Sequence, residues 1–132
     1  MIVDSSALVA ILTNEPDGPA LARILDRPGD LRMSAATYLE TAMVIDMHRD
    51  PVLSAVLDEL IQDVSIAIEP VTPEQARIAR QAYRDYGRGS GHPANLNFGD
   101  CFAYALARDK REPLLYKGDG FVHTDLKSAM TG

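Results

Sequence analysis

The sequence predicts an α/β fold built on a parallel sheet with helices on both faces, and three observations predict it. Strand-like apolar segments alternate along the chain with longer segments of helical periodicity. The opening run Met1-Ile2-Val3 is uniformly apolar, as befits a strand buried on both faces. Asp, Ser, Thr or Pro stands at several of the predicted helix starts.

Taken in order, Met1–Val3 is the first strand, and Asp4-Ser5-Ser6 opens a helix carrying Ala7, Leu8, Val9, Ile11 and Leu12. Glu15-Pro16-Asp17-Gly18-Pro19 is a turn cluster, followed by a helix over 20–27 that ends at Pro28-Gly29. Leu31–Met33 is a short strand, and Ser34 caps a helix to about His48, stopped by Asp50-Pro51. Val52, Leu53, Val56, Leu57, Leu60, Ile61 and Val64 keep helical spacing. Ser65–Glu69 alternates as a strand does, and Thr72-Pro73-Glu74 starts a helix whose face should carry Ala76, Ala79, Tyr83 and Tyr86. Gly87–Asn97 is a loop, a helix runs from near Gly99-Asp100 to about Lys110, and Pro113–Tyr116 is the last strand. Lys117–Gly120 is a turn, with a short terminal helix expected after Thr124. A chain of 132 residues with no internal repeat reads as one domain, 1–132.

Composition narrows the function. The formal charge of −6 argues against a surface that coats nucleic acid indiscriminately, yet a carboxylate metal centre would itself supply negative charge. A single cysteine, Cys101, excludes an internal disulfide and suits a reducing compartment. There is no basic leader and no run of roughly 20 apolar residues, so a cytoplasmic protein without a membrane partner is expected. The three histidines, His48, His92 and His123, lack zinc-like spacing and are assigned to the surface, and Cys101 to the core.

In open parallel sheets ligands bind outside the carboxyl ends of the strands. Asp4 sits at such an end, where it is either a helix cap or an acid aimed at the crevice. Glu40 has Ala36, Thr37, Met43 and Val44 as helical neighbours, with Met47 beyond, so it reads as a carboxylate within an apolar stripe or at that stripe's edge. Asp100 stands in a first helical turn, a common place for an acid, on a helix whose Ala103, Tyr104 and Ala107 form a packing face. Asp119 lies between two glycines after the last strand, as a surface turn residue or as a further acid at a strand end. Oxygen donors without a His–Cys cluster point to Mg²⁺ or Mn²⁺. Arg84, Arg88 and Lys117 are candidate phosphate contacts, and Tyr86 or Phe98 a candidate base-stacking ring; a solvated helix end is the alternative for the two arginines.

MIVDSSALVAIL, SAATYLETAMVI, LNFGDCFAYALA and PLLYKGDGFVHTDL occur in order along the chain. Together they resemble the PIN-domain ribonucleases of the VapC toxin type. The resemblance implies a doubly wound three-layer α/β/α fold and Mg²⁺-dependent cleavage of RNA that stops translation. It also implies a cognate VapB-type antitoxin and a homodimer. It places Asp4, Glu40 and Asp100 on the family's acidic positions and Ser6 on a hydroxyl position that orders the first acid. Gly118 stands where family members commonly carry a fourth acid, so Asp119, or else Asp125, takes that role. The competing readings are a phospho-acceptor receiver domain and a non-catalytic PIN-like binding module.

Overall fold

The computed structural model describes residues 1–131, so Gly132, the expected end of the domain, lies outside the described residues. Four strands, β1 (Ile2–Val3), β2 (Leu31–Ser34), β3 (Ile66–Glu69) and β4 (Leu114–Leu115), form one parallel sheet in the order β3-β2-β1-β4. Six helices join them: α1 (Ser5–Leu12), α2 (Gly18–Leu25), α3 (Ala35–Asp46), α4 (Pro51–Asp63), α5 (Pro73–Tyr86) and α6 (Phe98–Lys110). The expected α/β/α architecture is what the chain adopts.

Successive residues of a strand point to opposite faces, and the central strands show it directly. Val3 and Leu115 enter an apolar cluster with residues of α1 to α4, whereas Ile2 and Leu114 enter a second cluster with α5 and α6. All four side chains are fully buried. At about 1.5–3 kcal/mol for each such side chain, this double burial is what holds strands of only two residues in place.

Helix starts follow the polar residues. Ser34 ends β2 and caps α3, its Oγ accepting from Ala36 N at 3.2 Å. Asp50 caps α4 and Thr72 caps α5, each followed by proline in the first turn. The helix expected over 20–27 begins earlier, at Gly18, because a Cβ there would stand 2.9 Å from the Ala10 carbonyl of α1. Glycine lets the two backbones approach, and Pro19 suits a first turn.

Two expected faces are rotated. On α5 the buried residues are Gln75, Ala79 and Ala82, while Ala76 and Tyr83 are exposed and Tyr86 is half-buried. The Gln75 amide is kept inside by donating to Asp109 Oδ2 at 3.2 Å. On α3 the buried residues are Thr37, Thr41 and Ile45, and the supposed apolar stripe faces out, with Met43 58 % and Met47 73 % exposed. The Thr41 hydroxyl satisfies itself on Thr37 O at 2.7 Å, whereas the buried Thr37 hydroxyl has no partner, so this face packs at some polar cost. Glu40 is therefore not an acid buried among apolar neighbours. In place of the terminal helix expected after Thr124 there is a single 3₁₀ turn, Ala129–Thr131, while another, Phe121–His123, comes just before Thr124.

Candidate active site

The strand order puts a crevice where ligands bind in such sheets. From β1 the chain moves to β2 and β3 on one side, and β4 returns on the other, so connections diverge at the carboxyl ends of β1 and β4. Asp4 follows β1 directly, and its N–H donates to Leu115 O at 2.9 Å. Lys117 N donates to Ser6 Oγ at 2.9 Å, tying the segment after β4 to the first turn of α1.

Asp4 is both the cap and the crevice acid that the sequence left as alternatives. Its Oδ2 accepts from Ser6 N at 3.0 Å and from Ser6 Oγ at 2.6 Å. Its Oδ1 is buried with no hydrogen-bond partner, in a residue only 2 % exposed. Burial pushes its pKa up to about 6; the charges of Asp100 and Glu40 add to the rise and the Ser6 hydrogen bonds oppose it.

Asp100 is held by a capping box at the start of α6. Its N–H donates to Asn97 Oδ1 at 2.8 Å, and its own Oδ2 accepts from Asn97 N at 2.9 Å. Burial raises its pKa, opposed by the Asn97 backbone hydrogen bond and by the Arg88 charge. Glu40 approaches from α3, where Ser5 Oγ donates to its Oε1 at 3.0 Å. A cavity of about 370 Å³ is lined by Asp4, Ser6, Asn95, Asp100, Lys117 and Asp119, among others; Glu40 does not line it. Asp119 is exposed on its turn.

The expected acids thus fall into ranks. Asp4 lies within the field of the Asp100 and Glu40 charges, Asp119 shares the cavity of Asp4 and Asp100, and Asp125 belongs elsewhere. Asp125 accepts from Tyr104 Oη at 2.7 Å and Arg108 Nη1 at 2.5 Å, in the wall of a separate cavity of about 700 Å³. Among the described residues no three Asp, Glu, His or Cys side chains converge into a ready-made coordination shell. The buried, unpartnered Oδ1 of Asp4 beside two more carboxylates nonetheless fits a hard cation, and Mg²⁺ keeps several of its waters and needs few protein ligands.

The remaining candidates sort by contact. Lys117 Nζ pairs with Glu15, and Tyr86 packs against His92 and Tyr104, with ring centroids at 4.9 and 5.8 Å. Phe98 is 78 % exposed. Cys101 is a core thiol, its Sγ donating to Asn97 O at 3.3 Å and its pKa pushed up to about 11 by burial, with the Asp100 charge adding. His48 and His123 are exposed as expected, whereas His92 is half-buried and accepts from Ala94 N. Sequence reasoning passed over Ser5, Asn97 and Glu15. Asn97 was findable from the Asn-x-x-Asp spacing of a capping box, but the Glu15–Lys117 pair left no local trace.

A parallel sheet with carboxylates gathered at its switch point defines an acid-centred α/β domain, and residues 1–127 match the PIN domain. The chain belongs to the PIN-domain family, within its VapC ribonucleases. It is 58 % identical over 130 residues to ribonuclease VapC28 of Mycobacterium tuberculosis, covering 98 % of either chain. The fold matches that of Mycobacterium tuberculosis VapC20, a sarcin–ricin loop cleaving toxin, with TM-score 0.73, 17 % identity and 95 % of each chain covered. It also matches a toxin–antitoxin complex from Klebsiella pneumoniae with TM-score 0.65 and 14 % identity, over 91 % of this chain and 88 % of that one.

Proposed function

We propose that this chain is a divalent-metal-dependent endoribonuclease, the toxin of a toxin–antitoxin pair, and that Asp4 and Asp100 hold the ion. One observation carries the assignment: the buried Oδ1 of Asp4, unpartnered and within reach of the charges of Asp100 and Glu40. Removing a polar atom from water without a partner costs free energy that a bound cation would return. The naming of the relatives as ribonucleases supports this reading over a receiver domain or a non-catalytic binding module.

When bound, Mg²⁺ or Mn²⁺ polarises the scissile phosphate and lowers the pKa of a bound water. The chain's own residues do the rest. Ser6 turns the Asp4 carboxylate and fixes the segment after β4 by the same hydroxyl. Asn97 occupies one oxygen of Asp100 and leaves the other for the ion. Glu40 and Asp119 would complete the negative field around the ion. Arg88, close enough to influence Asp100, is the phosphate contact, whereas Lys117, committed to Glu15, orders its turn. A cytoplasmic setting, a VapB-type antitoxin and a homodimer complete the proposal. No helix of the described residues is long and apolar enough to cross a membrane.

The experiment is direct. Protein freed of any inhibitor and stripped of metal cleaves single-stranded RNA when Mg²⁺ or Mn²⁺ is added and stops in EDTA. A broad panel of RNAs left intact in both metals refutes the proposal.

Phe98 gives a second expected result. It lies two residues from Asp100, braced edge-on by Phe102 at 4.9 Å and 85°, with most of its surface free. Stacking a base on such a ring contributes about 1–3 kcal/mol, so Phe98→Ala raises KM roughly tenfold and leaves kcat nearly unchanged. The chain has no tryptophan, which makes Phe98→Trp a lone fluorescent reporter. Its emission is quenched on titration with RNA in an Asp100→Asn background. Emission that ignores RNA, or that follows protein concentration alone, assigns the ring to another surface.

A further inference from the structure

We infer that Gly99 and Ser5 form a seat for the Glu40 carboxylate, with Gly99 a positioning residue because the acid occupies the space its side chain would fill. The inference rests on Glu40 belonging to the metal site proposed above.

A Cβ built on Gly99 would stand 2.7 Å from Glu40 Cδ and 2.9 Å from Oε1, with Oε2 closer still. All three of its nearest neighbours are atoms of that one carboxyl group. The backbone gives no other reason for glycine. Gly99 is in the first turn of α6 and is absent from the positive-φ glycines, so any L-residue could adopt its conformation. Glycine inside a helix is unfavourable relative to alanine, which leaves the room it makes as its contribution. From the other side, the Ser5 hydroxyl donates to Oε1.

The placement links the three acids. Ser5 follows Asp4 and Gly99 precedes Asp100, so Glu40 is wedged between the immediate neighbours of the other two carboxylates. Its charge also lies against the N-terminal turn of α6, where the helix dipole favours an anion. The obstructing atoms are the end of a flexible side chain, so Gly99→Ala folds by swinging Glu40 away. A methyl group here is a lesion of the site and not of the core.

The test measures Mn²⁺ binding by calorimetry, with Mn²⁺ electron paramagnetic resonance as a check, alongside melting temperature, in wild type, Gly99→Ala, Glu40→Ala and the double variant. Gly99→Ala is expected to melt at the same temperature or higher, yet to bind Mn²⁺ on the order of 10–100-fold more weakly, the usual cost of disturbing a residue that supports a ligand. In the Glu40→Ala background the same change is expected to cost nothing, since its target is gone. Ser5→Ala repeats the pattern without added bulk, with a loss of a few-fold that vanishes in Glu40→Ala. The inference is overturned by a Gly99→Ala protein that binds Mn²⁺ as wild type does, by equal losses in both backgrounds, or by a variant that does not fold. A Glu40→Ala protein with wild-type Mn²⁺ affinity instead removes Glu40 from the proposed site, whatever Gly99 does.

Discussion

Replacing Asp4 by asparagine is expected to make the metal-free protein more stable and to abolish most of its ribonuclease activity. The stability half follows from proton linkage. Burial raises the Asp4 pKa from 3.8 to about 6, so the folded protein holds a proton that the unfolded chain has released. Such a group costs nothing below pH 4; as pH rises from about 4 to about 6 the folded state is progressively penalised, and above that the penalty is complete and constant. The full penalty is roughly 1.36 × (6 − 3.8), or about 3 kcal/mol. Asparagine removes it. Its carbonyl oxygen still accepts from Ser6 as a good cap does, and its amide turns a donor toward the neighbouring acids. At pH 7.5 without metal the variant should melt several degrees higher, up to roughly 10 °C for a chain of this length. Near pH 4 the two proteins should melt together in this respect.

The activity half has the opposite sign. A ligand that contributes several kcal/mol to holding the ion corresponds to a kcat loss on the order of 10³-fold. Wild type should gain about 2.7 kcal/mol of stability at a Mg²⁺ concentration a hundred times its Kd, and the variant should gain almost none. The wild-type gain should grow with pH through about 6, because the ion must displace the Asp4 proton. A variant that melts below wild type at pH 7.5 without metal, or that cuts RNA normally, contradicts the account of Asp4. Stability given up at a functional group is a common cost of activity.

What the sequence allowed to be read, and what it hid, follows the range of the interaction. The central strands were legible because both faces of the sheet are covered, which leaves unbroken apolar runs at 1–3 and around Leu114 and Leu115. Most helix starts were legible because a cap and the backbone N–H it accepts from lie within three residues. Glu40 was found by an argument that fails: its apolar neighbours face outward, and what anchors it is Ser5, together with the gap at Gly99. Those contacts join α3 to α1 and α6, segments far apart in the chain, and no spacing rule reaches them. Asp125 was separable from Asp119 only by seeing Tyr104 and Arg108 take both of its oxygens. The outward face of α3 misled because packing on that helix is done by threonines.

The second large effect is the loss of cleavage in Asp100→Asn, and its size against Asp119→Asn separates the acids of the crevice. Asparagine at position 100 keeps the capping box, since its carbonyl can accept from Asn97 N as Oδ2 does now. The fold and the start of α6 are thereby preserved, and burial no longer has a charge to penalise, so the melting temperature should hold or rise. What disappears is one of the two carboxylates assigned to the ion: kcat falls on the order of 10³-fold and Mn²⁺ binding falls with it. Asp119 is exposed on its turn, without the burial that marks Asp4, so Asp119→Asn should cost roughly tenfold, nearer the effect of an indirect partner. Asp125→Asn should leave Mn²⁺ affinity alone and weaken only the Tyr104 and Arg108 contacts. Measured on one RNA with one metal, the expected order of loss is Asp100, then Asp119, then Asp125. An Asp119→Asn loss as large as that of Asp100→Asn would put Asp119 among the residues that hold the ion and overturn the ranking of the crevice acids.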